Sequence, residues 1–154
     1  SGVSALLPEG PVMFFRDRAG EDTAVTVQED GAGTEGMTFV SVGPRTQRDG
    51  APIAVLQDRS TSSSGEAVLA AFRGLPNARS FGQSSSGYGS GNATHVLSDG
   101  SRITLTAAEF VDRGGEVLGD RPVDPDVPIR RDGGGGTDAA QTAARIWLQE
   151  RGCP

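Results

Sequence analysis

The sequence predicts an α/β domain, and three observations carry that expectation. A short, continuously apolar run, Pro52 to Gln57, has the composition of a strand covered on both faces. A serine-rich turn follows it and leads into a stretch whose apolar residues recur at helical spacing. Alternating, strand-like runs elsewhere are interleaved with a second amphipathic stretch near the C-terminus, the alternation typical of such domains.

In chain order, Val3 to Leu7 reads as the end of a helix stopped by Pro8-Glu9-Gly10. Since the chain has no initial Met and enters this apolar stretch almost at once, Ser1 is not expected to be a biological start. Pro11 to Phe15 and Thr23 to Val27 read as strands. Gly31 to Gly36 reads as a hairpin loop returning into a strand at Met37 to Val42, and Gly43 to Gly50 as a polar surface connection. Pro52 to Gln57 is expected to be a buried parallel strand, followed by the turn Asp58 to Ser64. A helix is expected over Gly65 to Leu75, packed through Ala67, Leu69, Ala70, Ala71 and Phe72.

Beyond Pro76-Asn77, Arg79 to Gly82 passes into a Gly/Ser loop, Gln83 to Asn92. Ala93 to Leu97 and Arg102 to Phe110 then form two strands about a tight Asp99-Gly100 turn, with Ile103 and Leu105 on one face. Asp112 to Gly115 ends the second strand, and Pro122 to Pro128 is extended and turn-rich. Gly133 to Gly136 reads as a flexible linker. Thr137 is the expected N-cap of a last helix, Asp138 to Arg151, with an apolar stripe of Ala140, Ala143, Ala144, Trp147 and Leu148.

Composition narrows the chemistry. A chain of 154 residues with 35% hydrophobic and 22% charged residues can form one domain with its own core. A net charge of -6 disfavours nucleic acid and anionic membranes as partners. No run approaches the roughly 20 apolar residues of a membrane span. The single cysteine, Cys153, excludes an internal disulfide and a cysteine-based metal site, and it is expected as a free thiol. No metal and no cofactor is expected. All 14 basic residues are arginines, which excludes a lysine base or Schiff base within these residues, because a guanidinium does not deprotonate usefully.

Ser62, Ser63 and Ser64 lie between a buried strand and the first turn of a helix, where a hydroxyl is exposed and helix N–H donors are close by. Helix capping suits the same position equally well, so location alone does not make a nucleophile. The local motif goes further. Thr61-Ser62-Ser63-Ser64-Gly65-Glu66 is similar to the Thr-Ala-Ser-Ala-Ser-Glu stretch of tail-specific (C-terminal processing) serine peptidases, whose nucleophile is the third residue of that stretch. Phe81-Gly82-Gln83 resembles that family's Phe-Gly-Glu. Asp99-Gly100-Ser101 with Ile103 to Thr106 resembles its Asp-Gly-Ser and following strand, and Val123 to Asp126 its Gly-Val-x-Pro-Asp ending.

The resemblance implies a crotonase/ClpP-like ββα core. Residues 1–131 would form the C-terminal part of the catalytic domain, 132–136 a linker, and 137–154 a helix packed on the same domain. It implies a hydrolase acting on peptides through an acyl-enzyme on Ser63, with the Ser64 N–H as an oxyanion donor. The family's base lysine falls on Tyr88 in Ser86-Gly87-Tyr88-Gly89, a departure shared with the tricorn-type branch, where an upstream histidine is the base. The base would then come from an N-terminal portion of the protein, associated as a separate chain.

Asp120 is the expected orienting acid, with Asp112 and Glu116 as neighbours that could serve instead. Gly87, Tyr88 and Gly89 are expected to border the substrate. His95, in a strand, is expected to be structural or at the surface. The Gln83 to Asn92 loop lacks the Lys and Ser/Thr of a phosphate-cradling loop. Family resemblance favours a secreted or cell-envelope location. The alternative is a non-catalytic relative that binds peptides or lipophilic ligands.

Overall fold

The computed structural model describes residues 3–29, 31–34, 37–41, 50–130 and 138–153. The linker expected at 132–136, the cap Thr137 and the connection at 43–49 lie outside them. Val3 to Leu7 closes into one 3-10 turn, Ser4–Leu6.

Six strands form an antiparallel sheet: β1 (Gly10–Asp17), β2 (Asp22–Gln28), β3 (Gly31–Thr34), β4 (Met37–Ser41), β7 (Ser90–Val96) and β8 (Arg102–Val111), in the order β4-β3-β2-β1-β8-β7. The register of β1 on β2 slips between Pro11 and Met13, next to a residue with no N–H to donate. Phe15 opposes Phe110 across β1 and β8, and their rings meet edge to face at 5.4 Å. The segment from Gly31, expected as loop, is instead strand β3 through Thr34, paired with both β2 and β4. Its glycines carry no side-chain alternation, so the pairing leaves no pattern in the sequence.

Three further strands form a parallel sheet: β5 (Ile53–Gln57), β6 (Ala78–Gly82) and β9 (Val127–Pro128), in the order β5-β6-β9. Helix α1 (Ser64–Phe72) joins β5 to β6, and helix α2 (Ala139–Glu150) closes the chain. Successive β5 residues point to opposite faces. Ile53 and Val55 join Leu69, Ala70 and Phe72 of α1 and Leu7, Val12, Met13, Val27 and Phe110 in one core. Ala54 joins Phe81, Ala140, Ala144 and Trp147 in a second core beneath α2. The full cover expected for this strand stops at Leu56, which is 48% exposed on a strand at the sheet's edge.

The stripe read on α2 is the one that packs, and Trp147 meets Phe81 edge-on at 5.8 Å. The helix is capped by Asp138, whose carboxylate accepts the N–H of Ala140. The Arg79 to Gly82 segment, expected only as a passage into a loop, is strand β6. No helix among the described residues is long and apolar enough to cross a membrane.

Candidate active site

Strand β5 ends at Gln57, which is buried and sets the floor of the site. Its Nε2 donates to the carbonyls of Gln83 (3.0 Å) and Val123 (2.7 Å). Its own carbonyl accepts the Gln83 N–H at 3.1 Å. Gly82 makes this approach possible. It sits at φ +129, and a Cβ there would stand 2.0 Å from the Gln57 oxygen.

The chain then turns through Asp58–Thr61. The Thr61 N–H donates to the Asp58 carbonyl (3.0 Å), and the Asp58 N–H to the Thr61 hydroxyl (3.1 Å). This turn delivers Ser63 to the N-cap of α1 at φ 50, ψ -114. Ser63 is the one non-glycine residue with positive φ among the described residues. Such a conformation costs about 1–3 kcal/mol and persists only where its surroundings over-determine it. Ser63 sits at the start of α1, where the first-turn N–H groups, that of Ser64 included, have no acceptor within the helix backbone.

The fixing group is Glu66, fully buried one turn into α1. Its Oε2 accepts the Ser63 N–H at 2.9 Å and the Tyr88 N–H at 2.7 Å. Its Oε1 accepts the Gly87 N–H at 2.7 Å and the Ser85 hydroxyl at 2.5 Å. The Ser85 Oγ in turn accepts the Val123 N–H at 2.8 Å. The next residue ties the same loop to the turn before Ser63, because the Ser86 N–H donates to the Thr61 carbonyl (2.8 Å) and its hydroxyl to the Arg59 carbonyl (2.7 Å).

Gly87 and Tyr88 are thereby tied to the same carboxylate as the Ser63 N–H. Gly87 lies against the chain at 120–122 at φ +82, where a Cβ would be 2.9 Å from the Pro122 nitrogen. Tyr88, standing where a lysine was expected by resemblance, is 66% exposed. A groove of about 1070 Å³ runs along this loop, lined by Arg59, Gln83, Ser84, Ser86, Tyr88 and Pro122 among others. A second cavity of about 560 Å³, between the end of α1 and α2, does not reach the turn at 58–63.

The three acidic candidates separate. Asp112 is buried and Glu116 exposed, and both are bound by Arg73 at the far end of α1, at 3.0 and 2.8 Å. Burial lowers the Arg73 pKa, but the hydrogen bond and charge of Asp112 with Glu116 outweigh it and raise the pKa overall. Asp120 is exposed in a turn packed on the Gly87 loop, where the adjacent Gly119 carbonyl accepts the Gly89 N–H at 2.8 Å. His95 is exposed in β7, opposite Ile103, in the sheet that does not carry Ser63. No cluster that could hold a metal ion occurs among the described residues.

Sequence reasoning missed Glu66, Ser85 and Gln57. A signal existed for the first, the Ser-x-x-Glu spacing from Ser63 to Glu66 that marks a helix start. For Gln57 it was a lone polar residue closing an apolar run.

Comparison with known proteins agrees with this architecture. The chain is 33% identical over 150 residues to a nisin-resistance protein of Lactococcus lactis subsp. lactis, an alignment spanning 97% of this chain and 44% of that one. Among solved structures, a lipoprotein from Streptococcus agalactiae matches with a TM-score of 0.70 and 28% identity, over 97% of this chain and 48% of the other. A photosystem II D1 C-terminal processing protease shares the fold with a TM-score of 0.62 at 23% identity, over 82% of this chain and 29% of its own. The chain thus spans about half or less of each of these relatives. The model of peptidase family S41 matches residues 1–129, and the chain belongs to that family.

Proposed function

We propose that this chain carries the nucleophile of a serine peptidase, with Ser63 forming the acyl-enzyme. The observation that supports this most strongly is the left-handed Ser63 at a strand-to-helix turn in a chain of peptidase family S41. A base draws the proton from the Ser63 hydroxyl as its oxygen attacks the peptide carbonyl, and the developing oxyanion accepts the Ser64 N–H. Collapse expels the amine, which takes the proton from the base, and water then hydrolyses the ester.

The base is a histidine supplied by an N-terminal portion of the protein, since lysine is absent and His95 lies in the other sheet. Asp120 is our candidate for the acid that orients it. A substrate peptide lies against Gly87, Tyr88 and Gly89. The nisin-resistance relative suggests a bacterial peptide of the kind its name records, and the net charge of -6 favours cationic peptides over anionic ones. That relative and the lipoprotein also favour a cell-envelope location.

A second reading is favoured by one observation, the exposed Tyr88 in place of a lysine. In it the chain is a binding-only relative that retains peptide or lipophilic-ligand recognition. Peptide hydrolysis followed by mass spectrometry separates the two. The peptidase reading predicts cleavage that Ser63→Ala reduces to the uncatalysed background while circular dichroism is unchanged. Binding of peptide with no cleavage by either protein would establish the second reading.

A further inference from the structure

We infer that Glu66 is a positioning residue that couples the substrate-facing loop to the nucleophile, an inference that rests on the peptidase reading above. Glu66 is 0% exposed, and among the described residues its partners are three backbone N–H groups and one hydroxyl, with no cation. A buried carboxylate is costly, and a well-packed apolar side chain would serve plain stability as well or better. This one instead gathers donors from separate stretches of chain onto one rigid group. Oxygen Oε2 holds Ser63 and Tyr88 together, so displacement of the Tyr88 backbone pulls on the group that fixes the Ser63 N–H. Oxygen Oε1 anchors Gly87 and, through the Ser85 hydroxyl, Val123. A peptide pressing on the exposed Tyr88 therefore acts on the strained Ser63 through a single carboxylate.

Glu66→Gln is a sharp probe. Whichever way the amide turns, its NH2 faces at least one fixed donor, either the Ser63 and Tyr88 N–H groups or the Gly87 N–H beside a Ser85 hydroxyl that must turn to accept. Two readouts are needed: the rate of Ser63 labelling by a fluorophosphonate, and amide exchange at Gly87 and Tyr88 followed by NMR. Val27→Ala, on β2 in the core shared with α1 but making none of the hydrogen bonds of Glu66, is the destabilised control. Ser85→Ala, which removes one of the four donors, is the milder variant should Glu66→Gln not fold.

We expect Glu66→Gln to slow labelling about tenfold or more and to speed exchange at both amides by a similar factor. Ser85→Ala should move both the same way by about threefold. Val27→Ala should lower Tm and change neither. Labelling by Glu66→Gln within about twofold of wild type, unchanged exchange, or an equal effect from Val27→Ala would each overturn the inference. Wild-type protein carrying its N-terminal portion that resists the probe would sink the peptidase reading and the catalytic consequence with it, while exchange would still decide whether Glu66 holds the loop.

Discussion

Helix α1 has a buried carboxylate at each end, and the two are served differently. At its C-terminal end Asp112 accepts the N–H groups of Gly114 and Glu116, both at 2.9 Å, and is closed by the Arg73 guanidinium. At its N-terminal end Glu66 accepts three N–H groups and a hydroxyl, with no cation among its partners in the described residues. The ion-paired end fastens the helix to the turn after β8, and its outer pair to exposed Glu116 contributes little. The end without a cation instead fixes one unusual backbone conformation, that of Ser63. The difference separates fastening from aiming. Changes at the Arg73 end should cost stability alone, and changes at the Ser63 end should cost stability and reactivity together.

The largest effect is expected at Gly82, under the aiming end. A methyl group there meets the Gln57 carbonyl at 2.0 Å in a left-handed backbone, so Gly82→Ala should cost about 3 kcal/mol or more in urea denaturation. Gln57→Leu comes next. It removes the side-chain donor of the Gln83 carbonyl and one of two donors of the Val123 carbonyl, which keeps the Ser85 N–H, a loss of about 1–3 kcal/mol, and it should also slow Ser63 labelling.

Arg73→Met sharpens the contrast from the other side. It strips buried Asp112 of its cation and should cost about 1–2 kcal/mol, discounted because Arg73 is partly exposed, while labelling of Ser63 holds. Slowed labelling in Arg73→Met, at matched stability, would erase the distinction between the ends.

The smallest effect lies away from both. The Asp99 carboxyl is held below its ordinary range by the Ser101 hydroxyl, then by the Ser101 N–H. A depressed folded pKa gives stability that is fully present above the unfolded value near about 3.9 and is lost as pH falls through the folded value. Ser101→Ala should therefore flatten the acid limb of the urea midpoint slightly and leave neutral pH nearly unchanged.

What the sequence revealed follows the same physics. The stripe of α2, strands β1 and β2, and the Asp99-Gly100 turn were legible because side-chain period or turn chemistry writes them locally. Strand β3 was not, since Gly31 and Gly33 carry no pattern, and β6 was obscured by Arg79 and Ser80, the latter polar because it exchanges hydrogen bonds with Asp126. Ser63 could be named from a short motif. The loop partners of Glu66 could not, because Ser85, Gly87 and Tyr88 follow it by 19 to 22 residues and converge only through the crossing of loop and turn. A departure at Tyr88 was visible, and the base we propose in the lysine's place is not written in these residues.

The central claim is that Ser63 is a reactive nucleophile. Treating the protein with a fluorophosphonate and mapping the adduct by peptide mass spectrometry tests it most directly. Our account predicts a single phosphonylated site at Ser63, absent in Ser63→Ala and slowed in Glu66→Gln. Labelling at another serine, or none in protein that binds peptide, would contradict it.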